Sequence, residues 1–445
     1  MQQVLEGLLR FDAEGRVEPA LAERWERLND ATVRFYLRKN VTFHNGEPFD
    51  ARAVKFSLEK YVAPETRFPA LGFVATIASV TVINDHVVDV LTHHPDGLLL
   101  NRLAAWIHIV PPQYYANVGD QGFAGQPVGT GPFRFERWDK NKEIVFARNP
   151  DYWMKGYPKV DRLVFAFIAQ EAQVDALLKG EVDLLTSLAG TRTTDVQKNK
   201  GTYVLKKPTF YTIAGNFNIS RPPFSNKRIR EAVNLAVDRK ALIRYDIFGN
   251  GIPLGTLSFP DEFGHNSQIK PYPYNPKKAR QILKEEGYPA GFALKVFLKV
   301  NAERTGRIIA KQLDAIGITL NSVLVSDAEI FEYLKDRGQW DMMIYDCPDT
   351  MSHAFFVRSI FLSGESPFSL APDQGIDERL RKLTATLDPQ EQAKISEDLD
   401  RHIYENFLAL PTYQRIRTYG LRRAVEFTPY VLGMPYFYAV NIRAN

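Results

Sequence analysis

The sequence predicts an α/β protein in which an antiparallel α+β region precedes a region of alternating strands and helices. Three observations support this fold class. Short segments of alternating polarity, separated by turn residues, fill about the first hundred residues. Apolar strands alternate with amphipathic helices after Asn218. The 445 residues are 45% hydrophobic and 24% charged, a composition typical of a globular protein long enough for more than one domain.

The antiparallel region begins with a predicted strand at Thr32–Leu37, where every second residue is apolar. Asn45-Gly46 predicts a turn, because both residues tolerate a positive φ. Asp50 predicts the N-cap of a helix, and the apolar segments 80–83 and 87–91 predict a hairpin. Together these elements predict a lobe built on an antiparallel sheet.

The middle of the chain predicts paired strands within 133–146. A strand at 160–168, a helix at 171–179 and a strand at 182–185 follow. Gly180 predicts the end of the helix, because glycine accepts a left-handed conformation. The order of these elements predicts a strand–helix–strand unit.

The third region repeats a pattern of apolar strands and helices whose ends carry capping residues, which predicts a second α/β lobe. The predicted helices are 227–242, 276–286, 303–316 and one that begins at 389, the predicted strands are 293–300, 318–325 and 341–345, and the tail 415–442 is strand-like.

Charge gives no indication of a polyanionic partner. Lys and Arg total 56 and Asp and Glu 52, a formal net charge of +4, so we expect no nucleic acid among the partners. No segment approaches the roughly 18 apolar residues of a membrane-spanning helix. Cys347 is the one cysteine, which excludes an intrachain disulfide. We expect a monomer.

Motifs of catalysis are incomplete. Ser57-Leu58-Glu59-Lys60 has the S-x-x-K spacing of serine acyltransferases but lacks that family's other elements. Gly129-Thr130-Gly131 lacks the third glycine of a dinucleotide fingerprint. His93-His94 with Asp96 is typical of a solvated turn, because neighbouring strand residues point to opposite faces. We therefore expect no enzyme activity, no cofactor and no metal site.

Asp346 is the strongest candidate for a ligand-binding residue. It follows the apolar strand 341–345, and the carboxyl ends of strands in α/β sheets face the crevice where ligands bind. A carboxylate there can hold an ammonium group by charge-assisted hydrogen bonds. The alternative is an aspartate that caps the helix predicted after Ser352, although Asp349 or Thr350 is better placed for that role.

The chain resembles the family 5 extracellular solute-binding proteins of ABC importers, which bind dipeptides, oligopeptides, nickel complexes and related solutes. Motifs in the order and spacing of that family carry the resemblance. They are Glu6-Gly7-Leu8-Leu9, Pro19-Ala20-Leu21-Ala22-Glu23-Arg24-Trp25, Phe43-His44-Asn45-Gly46-Glu47-Pro48-Phe49, Pro127-Val128-Gly129-Thr130-Gly131-Pro132-Phe133, Arg148-Asn149-Pro150-Asp151-Tyr152-Trp153, Pro222-Pro223-Phe224 and Tyr274-Asn275-Pro276.

The resemblance implies a bilobed periplasmic-binding-protein-like fold, of class II and cluster C type, with an extra α+β domain inserted in lobe I. Lobe I is then discontinuous, comprising 1–10, 126–222 and 412–445. The inserted domain spans 11–125, and lobe II spans 223–411. The implied hinges lie near 213–218 and 411–419, where the lobes close on a ligand.

The resemblance also places candidate ligand-binding residues. Asp346 falls where peptide-binding members hold the α-amine of the ligand, and the segment with Asn216 and Asn218 lines the cleft of the family. Arg358 is a candidate for a ligand carboxylate, with a helix-surface position as the alternative. The full candidate set is Asp346, Tyr345, Asn216, Asn218, His353 and Arg358. Nickel is disfavoured, because 104–109 lacks the cleft arginines of nickel-binding members.

The resemblance predicts the substrate-binding component of an ABC importer. It would capture a small peptide or related amine-bearing solute and deliver it to the membrane permease, from a periplasmic or extracellular membrane-attached position. The alternative is a ligand-sensing domain of a receptor or regulator with the same fold. Family members carry a further strand before the Glu6-Gly7-Leu8-Leu9 motif, and neither that strand nor a signal segment opens this sequence. We expect the loss of that strand from lobe I to expose an edge of the sheet.

Overall fold

The computed structural model describes residues 2–66, 71–370 and 373–443, and the chain divides into two compact units. The first unit comprises the described residues up to Lys207 and from Thr418 onward, and the second is Pro208–Arg417. Two long strands cross from one unit to the other. The predicted subdivision into lobes with an inserted domain stays a prediction.

The first unit contains strands and helices that precede the first crossing strand. In chain order they are β1 (Leu9–Phe11), β2 (Val17–Pro19), β3 (Ala22–Asn29), β4 (Thr32–Leu37), α1 (Ala51–Val62), α2 (Leu71–Val74), β5 (Ile77–Asn84), β6 (Val87–Thr92), α3 (Leu99–Trp106), α4 (Pro112–Gly125), β7 (Phe133–Asp139), β8 (Glu143–Arg148), β9 (Arg162–Ala166), α5 (Gln173–Lys179), β10 (Leu184–Leu185) and α6 (Thr193–Lys198).

The predicted antiparallel sheet is confirmed, with strand order β3-β4-β6-β5. Alternation on β4 buries Val33, Phe35 and Leu37 in the core beneath this sheet. The side chain of Asp50 accepts hydrogen bonds from the N–H groups of Arg52 and Ala53, so it caps α1 as predicted. The alternation of apolar residues therefore explains which face of β4 is buried, and the Asp50 cap explains where α1 begins.

The predicted order of strand, helix and strand around α5 is confirmed, but the two strands lie in different sheets. The strand before the helix, β9, pairs antiparallel with β8 in the three-stranded sheet β7-β8-β9. The strand after it, β10, pairs with residues 420–421 in another sheet. The helix ends at Gly180 (φ 78°) as predicted. Periodicity identifies each strand, but the partner of a strand depends on residues far away in the chain.

Three of the resemblance motifs meet at the buried carboxylate of Glu6. Its Oε2 accepts hydrogen bonds from the Thr130 hydroxyl and from Trp153 Nε1, both at 2.9 Å, and Oε1 accepts one from the Tyr152 hydroxyl at 2.7 Å. Burial raises the pKa of Glu6, while these donors favour its charged form. A Cβ atom at Gly129 would lie 2.1 Å from the Val4 carbonyl oxygen, so only glycine fits this close approach.

Acidification is expected to destabilise the first unit through two histidines. Burial lowers the pKa of His44 and of His108 to about 4, below the ordinary 6.5. His44 Nε2 lies 2.9 Å from the Gly131 carbonyl oxygen, which favours a neutral ring protonated at that nitrogen. The unfolded chain takes up protons near pH 6.5 and the folded chain only near pH 4. The contribution of each neutral histidine to the free energy of unfolding is therefore complete above pH 6.5. It is lost as the pH falls toward 4, and the loss reaches ~3 kcal/mol per histidine.

Chemical denaturation between pH 7.5 and 4 measures this loss. The variant His44→Gln keeps a polar side chain that does not titrate, and we expect a shallower pH dependence for it. The exposed His93 serves as a matched control, since His93→Gln should retain the wild-type slope. A flat profile for the wild-type protein would contradict the prediction.

The second unit and the end of the chain contain the remaining elements. They are the crossing strand β11 (Thr202–Phe217), α7 (Lys227–Ala236), α8 (Arg239–Asp246), β12 (Gly251–Pro253), α9 (Pro276–Glu285), β13 (Phe292–Lys299), α10 (Glu303–Asp314), β14 (Ile318–Val325), α11 (Ile330–Leu334), β15 (Met342–Pro348), α12 (Phe355–Leu362), α13 (Gln374–Ala385), α14 (Pro389–Glu405), the crossing strand β16 (Ala409–Arg422), β17 (Val425–Glu426) and β18 (Asn441–Ile442).

The sheet of the second unit runs in the order β16-β11-β15-β13-β14, with β12 also pairing with β16. Strand β13 is parallel to both β14 and β15, whereas β15 is antiparallel to β11. Helices α7, α9 and α10 bury their apolar residues in the core of this unit. The predicted alternation of strands and helices is confirmed here.

The predicted helix 227–242 is wrong as one element, because the chain forms two helices, α7 and α8. The side chain of Asp238 accepts hydrogen bonds from the N–H groups of Lys240 and Ala241, which caps a new helix. Apolar residues on both sides of the break are buried, so their spacing alone did not indicate it. The strand-like tail is also wrong for most of its length after Arg422. The short strands β17 and β18 pair with each other, and in the segment between them Tyr436 contacts the rings of Tyr430 and Tyr438 in tilted and edge-on arrangements.

Candidate functional site

Asp346 lies within β15, which continues past the predicted end at Tyr345 because its pairing with β11 extends to Pro348. Strands β13 and β15 are parallel, with Leu298 paired to Ile344, so their carboxyl ends lie at the same edge of the sheet. Lys299 ends β13, and its Nζ lies 2.9 Å from Asp346 Oδ1, as an ion pair rather than an aligned hydrogen bond.

Three further side chains complete a group that we call the Asp346 cluster: Tyr211, Lys299, Asp327, Asp346 and Arg415. The Tyr211 hydroxyl donates a hydrogen bond to Asp346 Oδ2 at 3.0 Å. Lys299 Nζ also lies 2.8 Å from Asp327 Oδ1. The Arg415 guanidinium lies over the Tyr211 ring, 5.5 Å from its centroid. The cluster therefore combines two carboxylates, two cations and a phenol.

Burial is uneven across the cluster. The side chains of Asp346 and Lys299 are 8% and 15% exposed, whereas that of Asp327 is 71% exposed. Burial lowers the pKa of Lys299, but the two carboxylates outweigh it and raise the pKa, so the ammonium form is retained. Burial and then Asp346 raise the pKa of Tyr211, which keeps the phenol as a hydrogen-bond donor. The arrangement is suited to binding charged groups.

Tyr345 on β15 and Asn216 on the neighbouring β11 lie on the opposite face of the sheet from Asp346. The Tyr345 ring stacks on Phe361 with centroids 4.1 Å apart, and its hydroxyl donates to the Phe368 carbonyl at 3.0 Å. The Asn216 side chain donates to the Phe361 carbonyl and accepts from the N–H of Leu370 at 3.1 Å. The structure therefore places both candidates in the packing against α12.

Asn218 and His353 are also buried among protein groups. The Asn218 amide donates to the Trp340 carbonyl at 3.0 Å, and its oxygen accepts from the Ser220 hydroxyl at 2.6 Å. His353 Nδ1 accepts from the N–H of Phe355 at 3.0 Å, and the ring packs against Phe263 at 4.9 Å between centroids. Each of these side chains has a local structural partner.

Arg358 is fully buried, so the helix-surface alternative is wrong. Its Nη1 lies 3.0 Å from Asp400 Oδ1 and 2.8 Å from the Ser396 carbonyl oxygen, while Nη2 contacts the Ser396 hydroxyl. Its Nε donates to the Ala354 carbonyl at 2.5 Å. The guanidinium thus ties α12 to α14, and its role in ligand binding stays a prediction.

Asp349 does not cap α12, whose N-cap is Ala354, but it binds the turn between β15 and that helix. Its carboxylate accepts hydrogen bonds from the N–H groups of Met351, Ser352 and His353 at 2.6, 2.9 and 3.0 Å. These bonds fix the turn that leads into α12. The carboxylate of Asp346 instead contacts Tyr211 and Lys299 in the cluster.

Sequence reasoning missed Tyr211, Lys299, Asp327 and Arg415. A signal existed for Lys299, because the carboxyl ends of parallel strands meet at one sheet edge. No comparable signal existed for Arg415, which reaches the cluster through the pairing of distant strands. Within residues 2–66, 71–370 and 373–443, no group of three or more His, Cys, Asp or Glu side chains is arranged to hold a metal ion. Over the same described ranges, no helix is long and apolar enough to cross a membrane.

A family model matches the chain over residues 16–367, which is most of its length, and is described as "Bacterial extracellular solute-binding proteins, family 5 Middle". A glutathione-binding protein of Salmonella paratyphi A is 26% identical over 431 residues, covering 91% of this chain and 82% of that protein. The glutathione-binding protein of Escherichia coli K12 is also 26% identical, over 415 residues, covering 88% of this chain and 79% of its own length.

Solved structures match nearly the entire chain. The binding protein AgaA of A. tumefaciens R10, in complex with agropinic acid, gives a TM-score of 0.85 at 25% identity, covering 100% of this chain and 94% of that one. The periplasmic binding protein DppA of Helicobacter pylori, in complex with the peptide STSA, gives a TM-score of 0.85 at 23% identity, covering 99% and 92%. The fold is therefore that of periplasmic binding proteins.

Proposed function

The chain belongs to the bacterial extracellular solute-binding proteins of family 5, and from this premise we propose that its Asp346 cluster captures a small peptide or related amine-bearing solute for a membrane permease of an ABC importer. Family 5 members are transport binding proteins and not enzymes. The matches do not favour the alternative of a sensory domain.

The observation that carries the proposal is the buried carboxylate of Asp346 at the carboxyl end of β15. A carboxylate with 8% exposure and a phenol donor has a fixed orientation, so it presents its remaining lone pairs in a defined direction. An ammonium group satisfies such a carboxylate with charge-assisted hydrogen bonds, which are shorter and stronger than neutral ones. Peptides and glutathione both carry ammonium groups.

The partners and the location belong to the same proposal. Related proteins of this family bind peptides and work with ABC permeases, which supports a permease as the macromolecular partner. The periplasmic assignment of relatives supports a periplasmic or extracellular membrane-attached position. We expect the protein to act as a monomer without nucleic acid.

Mass spectrometry of small molecules released by denaturing a gently purified sample is the first test. We expect a peptide or another compound with a free amine. Isothermal titration with glutathione, dipeptides and tripeptides then measures affinity. Release of compounds without amines, together with no heat from any peptide, would contradict the proposed ligand class.

Asp346→Asn is expected to weaken binding of an amine-bearing ligand by about 1–3 kcal/mol, because the amide keeps the shape but loses the charge that pairs with ammonium. Isothermal titration measures the change. Asp314→Asn is the matched control, since Asp314 is exposed at the end of α10 and lies outside the cluster. It should change the affinity by less than about 0.5 kcal/mol. Equal effects of the two variants would contradict a direct role for Asp346.

A further inference from the structure

Two buried acidic side chains of the second unit, which do not belong to the Asp346 cluster, contact each other. Asp349 is fully buried, and Glu262 is 5% exposed. Their carboxyl groups are hydrogen-bonded to each other. An ionised carboxylate can only accept hydrogen bonds, so a bond between two carboxyl groups requires one proton. The pair therefore holds a single proton between two side chains.

The surroundings of the pair place this proton on Glu262. The carboxylate of Asp349 accepts hydrogen bonds from three backbone N–H groups, at 351–353, which favour its charged form. Glu262 Oε2 accepts one bond, from the N–H of Phe259 at 2.9 Å, and Oε1 is buried without a donor among the described residues. Burial raises the pKa of both carboxyl groups, and their contact raises the pKa of Glu262 further while it lowers that of Asp349. Glu262 is thus the hydrogen-bond donor and Asp349 the acceptor.

A proton, rather than a cationic side chain, balances the pair. The Arg358 guanidinium favours the charged form of Glu262, but it is already paired with Asp400 at 3.0 Å. Burial lowers the pKa of His265 and raises the pKa of the Cys347 thiol, so both of these groups stay neutral. The titratable and charged groups that surround the pair on the neighbouring loop, strand, turn and helices are Asp261, His265, Cys347, His353, Arg358 and Asp400.

The pair joins two segments that are far apart in the chain. We call 259–265 the Glu262 loop and 349–354 the Asp349 turn, which leads from β15 into α12. The N–H of Ala354 donates to the Phe263 carbonyl at 3.2 Å, and the Phe263 ring lies 4.9 Å from the His353 ring. The carboxyl pair adds to these contacts a bond that exists only while its proton is present.

We propose that Glu262 and Asp349 form a buried proton-binding site, which latches the Glu262 loop onto the Asp349 turn while the proton is bound and releases it when the proton is lost. After that loss the two carboxylates repel each other, because a buried site holds little water to screen them. The pKa of Glu262 is higher in the folded chain than in the unfolded chain, so the latch is complete at low pH and is lost as the pH rises through the folded-state value. The inference goes beyond the proposed function, since it involves no ligand.

Infrared spectroscopy of the purified protein tests the proton site, because a protonated carboxylic acid has a carbonyl stretch that is resolved from the bands of a carboxylate. Glutamate labelled with carbon-13 identifies the acid as a glutamic acid. The matched control is Glu378→Gln, since Glu378 is exposed on α13. At pH 7 we expect the acid signal in wild-type protein and in Glu378→Gln, and we expect Glu262→Gln to lose it. Any signal from Glu6, whose pKa is also raised by burial, cancels in the difference between variants.

Amide hydrogen exchange, corrected for the intrinsic exchange rates, tests the latch in the same proteins. In wild-type protein the protection of the Glu262 loop and the Asp349 turn should fall by up to ~tenfold for each pH unit above the pKa of the pair. Glu262→Gln should keep constant protection, because its amide donates to Asp349 and does not titrate. Glu262→Ala should leave both segments weakly protected at every pH. Circular dichroism and thermal unfolding check that each variant is folded.

Two results would overturn the inference. An acid signal that is absent from wild-type protein, or equally strong in Glu262→Gln, would show that Glu262 holds no proton. An acid signal that is lost in Glu262→Gln, together with wild-type protection that does not change with pH, would show that the proton does not hold the two segments together. Either result leaves the capture of an amine-bearing solute standing, because neither measurement involves a ligand.

Discussion

Replacing Arg358 with methionine is expected to lower the free energy of unfolding of the second unit by about 3–5 kcal/mol, because it leaves the buried carboxylate of Asp400 without its cation. Both side chains are fully buried. Asp400 keeps hydrogen bonds from the hydroxyls of Thr256 and Ser258 at 2.7 and 2.6 Å, but these donors do not neutralise its charge. Methionine has a similar length, so lost packing contributes little.

Chemical denaturation and amide hydrogen exchange in α12 and α14 measure this effect, since the Arg358 guanidinium joins these two helices. Arg307→Met on α10 is the matched control. Its side chain is 76% exposed and pairs with Glu303 along the helix, so its loss should cost less than about 0.5 kcal/mol. Unchanged stability of Arg358→Met with a large loss of ligand affinity would instead support the ligand-binding role that the sequence predicted.

Glu6→Ala is expected to lower the free energy of unfolding of the first unit by about 3 kcal/mol or more. The substitution leaves the donors of Thr130, Tyr152 and Trp153 without their shared acceptor in a buried place. Glu6→Gln should be milder. Its amide oxygen can still accept from Thr130 and Trp153, while its amide nitrogen can donate to the hydroxyl oxygen of Tyr152.

A double-mutant cycle with Trp153→Phe isolates one bond of this network, because phenylalanine removes the indole N–H. We expect the two substitutions to be less than additive. Glu23→Ala serves as control, since that carboxylate is 57% exposed and lies 3.8 Å from Arg38. If Glu6→Ala proved as mild as Glu23→Ala, the buried network would not hold the three motifs together.

The helix caps show how far local sequence reasoning extends. Asp50 is predicted from the sequence to cap a helix, and Asn275 and Asp388 directly precede the helices predicted to begin at 276 and 389. Each of these three side chains accepts a hydrogen bond from the first turn of its helix. A cap involves residues only two or three positions apart, so the sequence contains all of it. Asp238 follows the same rule, but the apolar spacing across it obscured the break between α7 and α8.

The candidate site shows where such reasoning ends. Asp346 was identified from its position after an apolar strand, and it lies among charged groups. Tyr345 is its neighbour in sequence but lies on the other face of β15, since successive strand residues alternate. Arg358 has the charge of a ligand-binding residue, yet its partner Asp400 lies on a separate helix and leaves it no exposed surface.

The sequence by itself determined the fold class, the family and most helix and strand positions, because periodicity, caps and motifs are local and are written in consecutive residues. The tertiary structure alone decided the pairing of β9, the burial of Arg358 and the meeting of Lys299 with Asp346. These contacts join residues tens of positions apart. They depend on strand order and register, which arise only when whole elements pack and exclude water.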